Sequence, residues 1–309
     1  MRTVVVYGAR GFLGGAICAA LEQRGVSVVA SAAPRLRQDA DHGSEPDLGK
    51  LAAPQVEALK DVRPDVVINA GGLRDVSHGQ NTSVYGANVV LPAVLGYAAR
   101  SRGASYIHLS SGSVQGDHRV LDSSRTWDPQ SAFAESKASG ERLLLATSPV
   151  GAPTTIYRPP TVHALQRRST RALSRYAASG FATTSARERG SPQALLPNVA
   201  DAVAFLATSR SAPLIVHQPS EGLTNHSLLR MLGGRDPHLI ADPLARFAAR
   251  SASASGRLGL VHQPQAIRLR LLMLGQEQAR SWLTDAGWTP PISTDGWQQL
   301  SSRRSEVDA

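Results

Sequence analysis

Three glycines near the N-terminus have the spacing of a phosphate-binding loop. In the segment YGARGFLG, Gly8, Gly11 and Gly14 follow a short β-branched run and precede a helical pattern that begins with Phe12 and Leu13. Glycine lets the backbone approach a diphosphate closely, and the following helix N-terminus offers free N–H groups and a partial positive charge. The segment predicts a dinucleotide site that includes all five residues. The competing interpretation is a tight strand–helix turn that binds no ligand.

The charges near this loop favour a phosphorylated ribose. Many NAD-binding proteins place a carboxylate at the end of the second strand, where it accepts a hydrogen bond from the ribose 2′-hydroxyl. Here that position falls near Ser31 and Ala32, which offer no carboxylate. Arg10 lies inside the loop, and Arg35 and Arg37 follow the second strand. We therefore predict that these arginines bind NADPH, with NADH as the alternative, although each arginine alone is also compatible with a solvated surface.

The elements that must position these residues alternate between strand and helix up to Pro160. This alternation is typical of a parallel sheet covered by helices on both faces. Beyond Pro160 the pattern weakens, but 196–207 predicts a helix with Asn198 at or near its cap, and 213–219 predicts a further strand. We predict an α/β fold, a doubly wound parallel Rossmann sheet with a smaller C-terminal substrate-binding lobe.

The predicted division is a dinucleotide-binding domain over 1–160 and a mainly substrate-binding lobe over 161–309. Residues 195–218 are expected to return to the first domain, and 301–309 to form a disordered tail. The arginine-rich segment 166–180 is compatible with a mobile basic lid or with a solvated helix face, and we favour the solvated face.

Composition limits the remaining possibilities. The chain has 309 residues, 42% of them hydrophobic, and a single cysteine, which fits a reducing cytoplasm. No apolar run approaches the roughly 18–20 residues of a membrane span, and no His/Cys/carboxylate cluster has metal-ligand spacing. The formal net charge is +9, but the arginines are scattered with few aromatics between them, so nucleic acid is a weak alternative. The expected partner is a small molecule, and the chain is expected to be a monomer or homodimer.

Several segments together resemble the extended branch of the short-chain dehydrogenase/reductase superfamily, which contains epimerases, dehydratases and reductases. The resemblance covers nearly the whole chain and rests on GARGFLG, DLGKL, PDVVINAGG, GANVVLPAVLGYA, HLSSGSVQG, FAESKASGERL, RPPTV and GWTPPISTDGWQQL. It implies an adenine contact at Asp47 and Leu48, and an active-site backbone bend or water held by Asn88. Other residues are expected to meet the cofactor from strand ends at the carboxyl edge of the sheet: Asn69, Ala70, Gly71 and Arg158.

In that superfamily a Ser or Thr, a Tyr and a Lys cooperate in catalysis. The resemblance implies that the Tyr protonates the carbonyl oxygen, the Lys binds the nicotinamide ribose and lowers the pKa of the Tyr, and the Ser hydrogen-bonds the substrate oxygen. Ser111 and Lys137 match two of these positions, but Phe133 stands where the Tyr is expected. A general acid typically contributes about 10²–10⁴-fold in rate, and Phe133 has no proton to give.

Four interpretations of this gap compete. The chain could be an inactive NADP-binding sensor or scaffold, or the register of the motif could be wrong, although no Tyr lies near it. Another residue could replace the Tyr, and the candidates are Tyr85, Tyr157, Ser113 and His163.

The fourth interpretation, which we favour, is that the substrate supplies its own proton. A ketone beside an acidic phenol would leave a phenolate rather than a bare alkoxide, so the protein would only position the substrate and shield it. The Phe at the Tyr position and the Arg-rich, Lys-poor composition are similar to atypical ketoreductases of aromatic polyketide antibiotic pathways. This resemblance implies NAD(P)H-dependent reduction of an angucyclinone-like ketone. A nucleotide-sugar epimerase or dehydratase is the alternative enzyme.

Overall fold

The computed structural model describes residues 2–36, 46–74, 82–149, 153–258 and 263–302. The predictions for Arg37 and for residues 303–309 of the tail lie outside these ranges. Within them, no helix is long and apolar enough to cross a membrane.

The twelve strands of the described chain form one large sheet and three small pairs. They are β1 Thr3–Tyr7, β2 Ser27–Ser31, β3 Val66–Asn69, β4 Ser105–Leu109, β5 Val120–Leu121, β6 Thr154–Arg158, β7 Thr161–His163, β8 Thr183–Ser185, β9 Gln193–Leu195, β10 Ile215–His217, β11 His238–Ile240 and β12 Glu277–Gln278. The large sheet has six parallel strands in the order β10-β6-β4-β3-β1-β2. This order confirms the predicted doubly wound parallel sheet.

The helices surround this sheet and build the second lobe. They are α1 Phe12–Gln23, α2 Leu48–Val62, α3 Thr82–Tyr85, α4 Leu91–Ser101, α5 Ala132–Ala146, α6 Arg168–Ala178, α7 Leu196–Thr208, α8 Asn225–Gly233, α9 Asp242–Arg257, α10 Gln263–Leu274, α11 Trp282–Asp285 and α12 Gly296–Ser302. A π-helical turn over Gly86–Val90 joins α3 to α4, and a 3₁₀ turn over Gly112–Gln115 follows β4.

Strand β1 shows why the sheet is buried on both faces. Val4 and Val6 pack with α1 and α7 on one face of the sheet, whereas Val5 and Tyr7 pack with α2, α4 and α5 on the other. Successive side chains of a strand point to opposite faces, so a continuous apolar run suits a sheet covered on both sides.

The C-terminal lobe has a core of its own around Trp297, which is fully buried among leucines of α8. The short pair β5–β12 joins this lobe to the segment that follows β4, and the chain returns to the large sheet at β10. The strand predicted over 213–219 is therefore the edge strand β10, next to β6.

Three local predictions need correction. Asn198 does not cap α7, because the helix begins at Leu196, and the buried Asn198 amide instead bonds Glu221 and the backbone of Ile292. The sequence of 83–103 predicts one long helix, but the π-helical turn over Gly86–Val90 divides it. The tail is helical as far as Ser302, where α12 ends.

Candidate active site

Two adjoining clefts open at the carboxyl ends of the strands. The first, about 520 Å³, is bounded by the glycine loop, 32–36, 70–73 and the start of α4. The second, about 400 Å³, is bounded by Gly11–Leu13, 109–113, α5, 159–162 and residues of α10. Both lie where the chain reverses direction across the sheet, between β1 and β3, which is where open α/β sheets bind ligands.

The glycine loop fits a diphosphate. Gly8 has a φ of 83°, which favours glycine, and its carbonyl oxygen accepts a hydrogen bond of 2.9 Å from the Gly11 N–H. A Cβ on Gly14 would lie 2.1 Å from the Gly8 oxygen, so α1 packs against the loop only because residue 14 is glycine. Gly11 precedes α1 without a side-chain cap. The first-turn N–H groups are therefore not covered by a capping side chain and can serve an anion.

The far end of the first cleft carries positive charge. Arg10 and Arg35 both line it, and no Asp or Glu does so among the described residues. Asp47 and Leu48 are not among the described residues that line either cleft, and their adenine contact stays a prediction. Asp47 caps α2, since its carboxylate accepts a hydrogen bond of 3.0 Å from the Lys50 N–H.

Three of the sequence-predicted residues meet in the second cleft. Lys137 is buried on α5, and its Nζ donates a hydrogen bond of 2.8 Å to the Leu109 carbonyl oxygen at the end of β4. Phe133 lies one helical turn before Lys137 and is half-buried in the cleft wall. Ser111 follows β4, and its Oγ lies 2.8 Å from the Ser113 Oγ. The helix and the strand end thus bring Ser111, Phe133 and Lys137 into one cavity.

Two buried asparagines shape the loop between the clefts without lining either one. Asn69 accepts a hydrogen bond of 2.9 Å from the Gly71 N–H. Asn88 accepts a 2.8 Å bond from the Leu73 N–H and donates a 2.7 Å bond to the Leu73 carbonyl. Asn69 was expected to meet the cofactor from a strand end, but its buried side chain supports the loop instead, and Asn88 holds the backbone at Leu73. Ala70 and Gly71 line both clefts.

Arg158 also differs from its prediction. Its guanidinium is fully buried and pairs with Glu141, with bonds of 3.0 Å from Nε and 2.6 Å from Nη2. Its Nη1 donates to the Ser124 carbonyl. The side chain therefore binds within the protein beneath the cleft and is not placed to contact a cofactor.

The structure gives three of the four candidate replacement acids other roles. Tyr157 is buried and donates to the Gln218 side chain, and Tyr85 packs against the core. His163 bonds the side chains of Thr170 and Gln193 at 3.1 and 2.8 Å. Ser113 alone of the four lines the second cleft.

The sequence reasoning missed the cationic wall that the C-terminal lobe contributes. Arg167 and Arg270 line the second cleft, and Arg74 lines it from the end of β3. No Asp, Glu, His or Tyr lines this cleft within the described ranges. The arginine density of 166–175 is the signal that could have revealed Arg167, which we assigned to a solvated face.

Burial lowers the pKa of Lys137 to about 8, although Glu141 opposes the shift. The ammonium form is thus present below about pH 8 and is lost above it. If that ammonium holds a ribose hydroxyl, the affinity of the free protein for NADPH should fall by up to about tenfold per pH unit above pH 8. Fluorescence titration with NADPH between pH 6 and 10 measures this change of slope, or break, in the pH dependence of the affinity.

The matched variants are Lys137→Arg, which keeps its charge over this range, and Lys60→Arg on the exposed surface of α2. Lys137→Arg should remove the break, and Lys60→Arg should retain it. A break that persists in Lys137→Arg would assign the titration to another group.

The model of the NAD-dependent epimerase/dehydratase family matches residues 4–187. A comparison with curated proteins finds no match.

Solved structures of similar fold cover nearly the whole chain. A dTDP-4-dehydrorhamnose reductase from Bacillus anthracis, in complex with NADP, is 14% identical with a TM-score of 0.64 and covers 100% of both chains. A UDP-N-acetylglucosamine 4-epimerase from Bacillus cereus is 15% identical with a TM-score of 0.65, covering 97% of this chain and 98% of that one. A dTDP-glucose 4,6-dehydratase from B. anthracis, in complex with NAD, is 12% identical with a TM-score of 0.64, covering 100% and 98%. At these identities the likeness extends to the fold alone.

Proposed function

The chain belongs to the NAD-dependent epimerase/dehydratase family, and from that premise we propose an NAD(P)H-dependent ketoreductase that works without a protein general acid. Family membership confirms the predicted class of cofactor, a nicotinamide dinucleotide. The proposed substrate is a polycyclic aromatic polyketide of the angucyclinone type, in which a phenol lies beside the ketone.

One observation carries the proposal. The second cleft contains Ser111 and Lys137, the two superfamily positions that contact substrate and ribose, while Phe133 occupies the position of the acid. None of the described residues that line this cleft is a Tyr, His, Asp or Glu that could replace the missing acid. A retained hydrogen-bonding and cofactor-binding pair with no acid suits a substrate that carries its own proton.

Each residue then has a defined task. The glycine loop and the N-terminus of α1 bind the diphosphate, and Lys137 binds a ribose hydroxyl. When bound, the reduced nicotinamide supplies the hydride. Ser111 orients the carbonyl oxygen by a hydrogen bond, and Phe133 forms an apolar wall that excludes water from the developing negative charge. The neighbouring substrate hydroxyl transfers its proton to that oxygen, and the resulting phenolate recovers a proton from water.

The proposed preference is for NADPH. Arg10 and Arg35 line the first cleft, which has no carboxylate among its described lining residues. A 2′-phosphate is favoured by these cations, whereas the 2′-hydroxyl of NAD lacks its usual carboxylate partner.

Reduction of a nucleotide-sugar ketone is the second candidate. It is favoured by the dTDP- and UDP-sugar enzymes among the structural neighbours and by the cationic lining of the second cleft, which suits a diphosphate. Epimerase and dehydratase chemistry fits less well, because both need an acid/base group where this chain has Phe133.

The test is NADPH oxidation together with identification of the alcohol formed. Polycyclic ketones with a hydroxyl beside the carbonyl should be reduced, and a dTDP-4-keto sugar should not. Reduction of the sugar alone would favour the second candidate. Tight NADPH binding with no alcohol from any ketone would identify an inactive dinucleotide-binding protein.

A further inference from the structure

Three arginines from distant parts of the chain converge beside the second cleft. Arg74 follows β3, Arg167 precedes α6, and Arg268 lies on α10. Burial and then the charges of Arg74 and Arg268 lower the pKa of Arg167 to about 10. Burial and then Arg268 lower the pKa of Arg74 as well. The geometry agrees, because Arg74 and Arg167 both line the second cleft, and so do Ile267 and Leu271, the α10 residues on either side of Arg268 in the sequence.

Nothing in the described chain neutralises this cluster. None of the three arginines is in an ion pair with a described carboxylate. None of the described residues that line the cleft is acidic. The neighbouring Arg270 is different, because its guanidinium pairs with Asp117 at 2.5 Å. Like charges that are brought together in a partly buried cleft repel one another unless an anion balances them. The cluster is therefore available to pair with an anionic ligand.

The contacts of Arg167 place its guanidinium beside the start of α1. Its Nη1 donates a 2.7 Å hydrogen bond to the Val162 carbonyl, and its Cζ lies 4.4 Å from the centroid of the Phe12 ring. Phe12 is the first residue of α1, directly after the glycine loop. The guanidinium therefore reaches from the C-terminal lobe to the mouth of the loop.

We propose that Arg74, Arg167 and Arg268 form the second wall of the diphosphate site, opposite the glycine loop. The backbone N–H groups of α1 hold the dinucleotide diphosphate from one side, and the arginine cluster neutralises it from the other. This inference rests on the nicotinamide dinucleotide of the proposed function, but it does not depend on which ketone is reduced. It also gives the C-terminal lobe a part in cofactor binding.

The test measures cofactor binding with no ketone present. Arg167→Gln should weaken NADPH and ADP-ribose alike, by about 10- to 100-fold, because it removes a charge-assisted contact to a phosphate group that both ligands carry. Isothermal titration at two salt concentrations should also show a weaker salt dependence in the variant. Arg168→Gln is the matched control, since residue 168 is the exposed first residue of α6 and should bind as wild type.

Arg268→Gln is the second test variant. Because residue 268 is exposed, this variant should fold even if Arg167→Gln does not. It should weaken ADP-ribose at least about threefold, with an unchanged melting temperature. The competing source of the anion is an acidic group on the substrate. In that case both variants would bind ADP-ribose within threefold of Arg168→Gln while KM for the ketone rises, and the proposal would be overturned. Impaired ADP-ribose binding in these variants would support this inference even if the protein reduced no ketone. Reduction of the ketone by wild type, with unimpaired ADP-ribose binding in the variants, would refute this inference and leave the proposed function standing.

Discussion

Phe133→Tyr should raise turnover about 10²–10⁴-fold on a ketone whose neighbouring hydroxyl is methylated. The wild-type protein should reduce that methyl ether slower than the free phenol by a similar factor, since neither the ether nor Phe133 can protonate the developing alkoxide. The new hydroxyl would lie in the second cleft, one helical turn before Lys137 and in the same cavity as Ser111. Single-turnover NADPH oxidation with both substrates measures the two rates.

The free phenol substrate makes the comparison decisive. Because that substrate already supplies a proton, Phe133→Tyr should change its turnover by less than about threefold, a small part of the general-acid effect. Phe133→Leu is the matched control, since it alters the wall without adding a donor and should not rescue the methyl ether. Equal wild-type rates on phenol and ether, or a large gain for the phenol with Phe133→Tyr, would refute substrate-assisted protonation.

Local patterns predict much of this site because the chemistry is encoded by neighbouring residues. The spacing of Gly8, Gly11 and Gly14 between a strand and a helix requires no tertiary information. Phe133 and Lys137 fall on one face of a helix because they are four residues apart. Ser111 follows a buried strand that ends at the same edge of the sheet.

Long-range partners explain the errors. Arg158 was expected to face the cofactor, but its position at a strand end does not reveal that Glu141, on a different element, neutralises it within the protein. The cluster of Arg74, Arg167 and Arg268 is equally hidden, because three segments meet only after the C-terminal lobe folds against the sheet. Asp47 shows a simpler ambiguity, since an Asp before a helix can cap it or reach a ligand, and here it caps.

Arg158→Met should destabilise the fold by about 3–5 kcal/mol, because it leaves the Glu141 carboxylate buried without its counter-charge. Both side chains of the pair are 0% exposed, and the Arg158 Nη2 lies 2.6 Å from the Glu141 Oε2. Urea unfolding followed by tryptophan fluorescence or circular dichroism measures the change. Arg142→Met is the matched control on α5, because Arg142 and its partner Glu135 are 43% and 53% exposed, and its loss should cost less than about 1 kcal/mol.

The double variant Arg158→Met/Glu141→Leu tests whether the unpaired charge of Glu141 causes the loss of stability in Arg158→Met. It should recover part of the loss but not all of it, since Glu141 also accepts hydrogen bonds from the Trp127 Nε1 at 2.7 Å and from the Ser110 hydroxyl. Leaving those donors without a partner costs about 1–3 kcal/mol each when they are buried. A double variant less stable than Arg158→Met would show that the lost hydrogen bonds and packing of Glu141 outweigh its unpaired charge. Because Glu141 supports the ammonium form of Lys137, the double variant should also move the break in NADPH affinity below pH 8, which links this buried pair to the cofactor site above it.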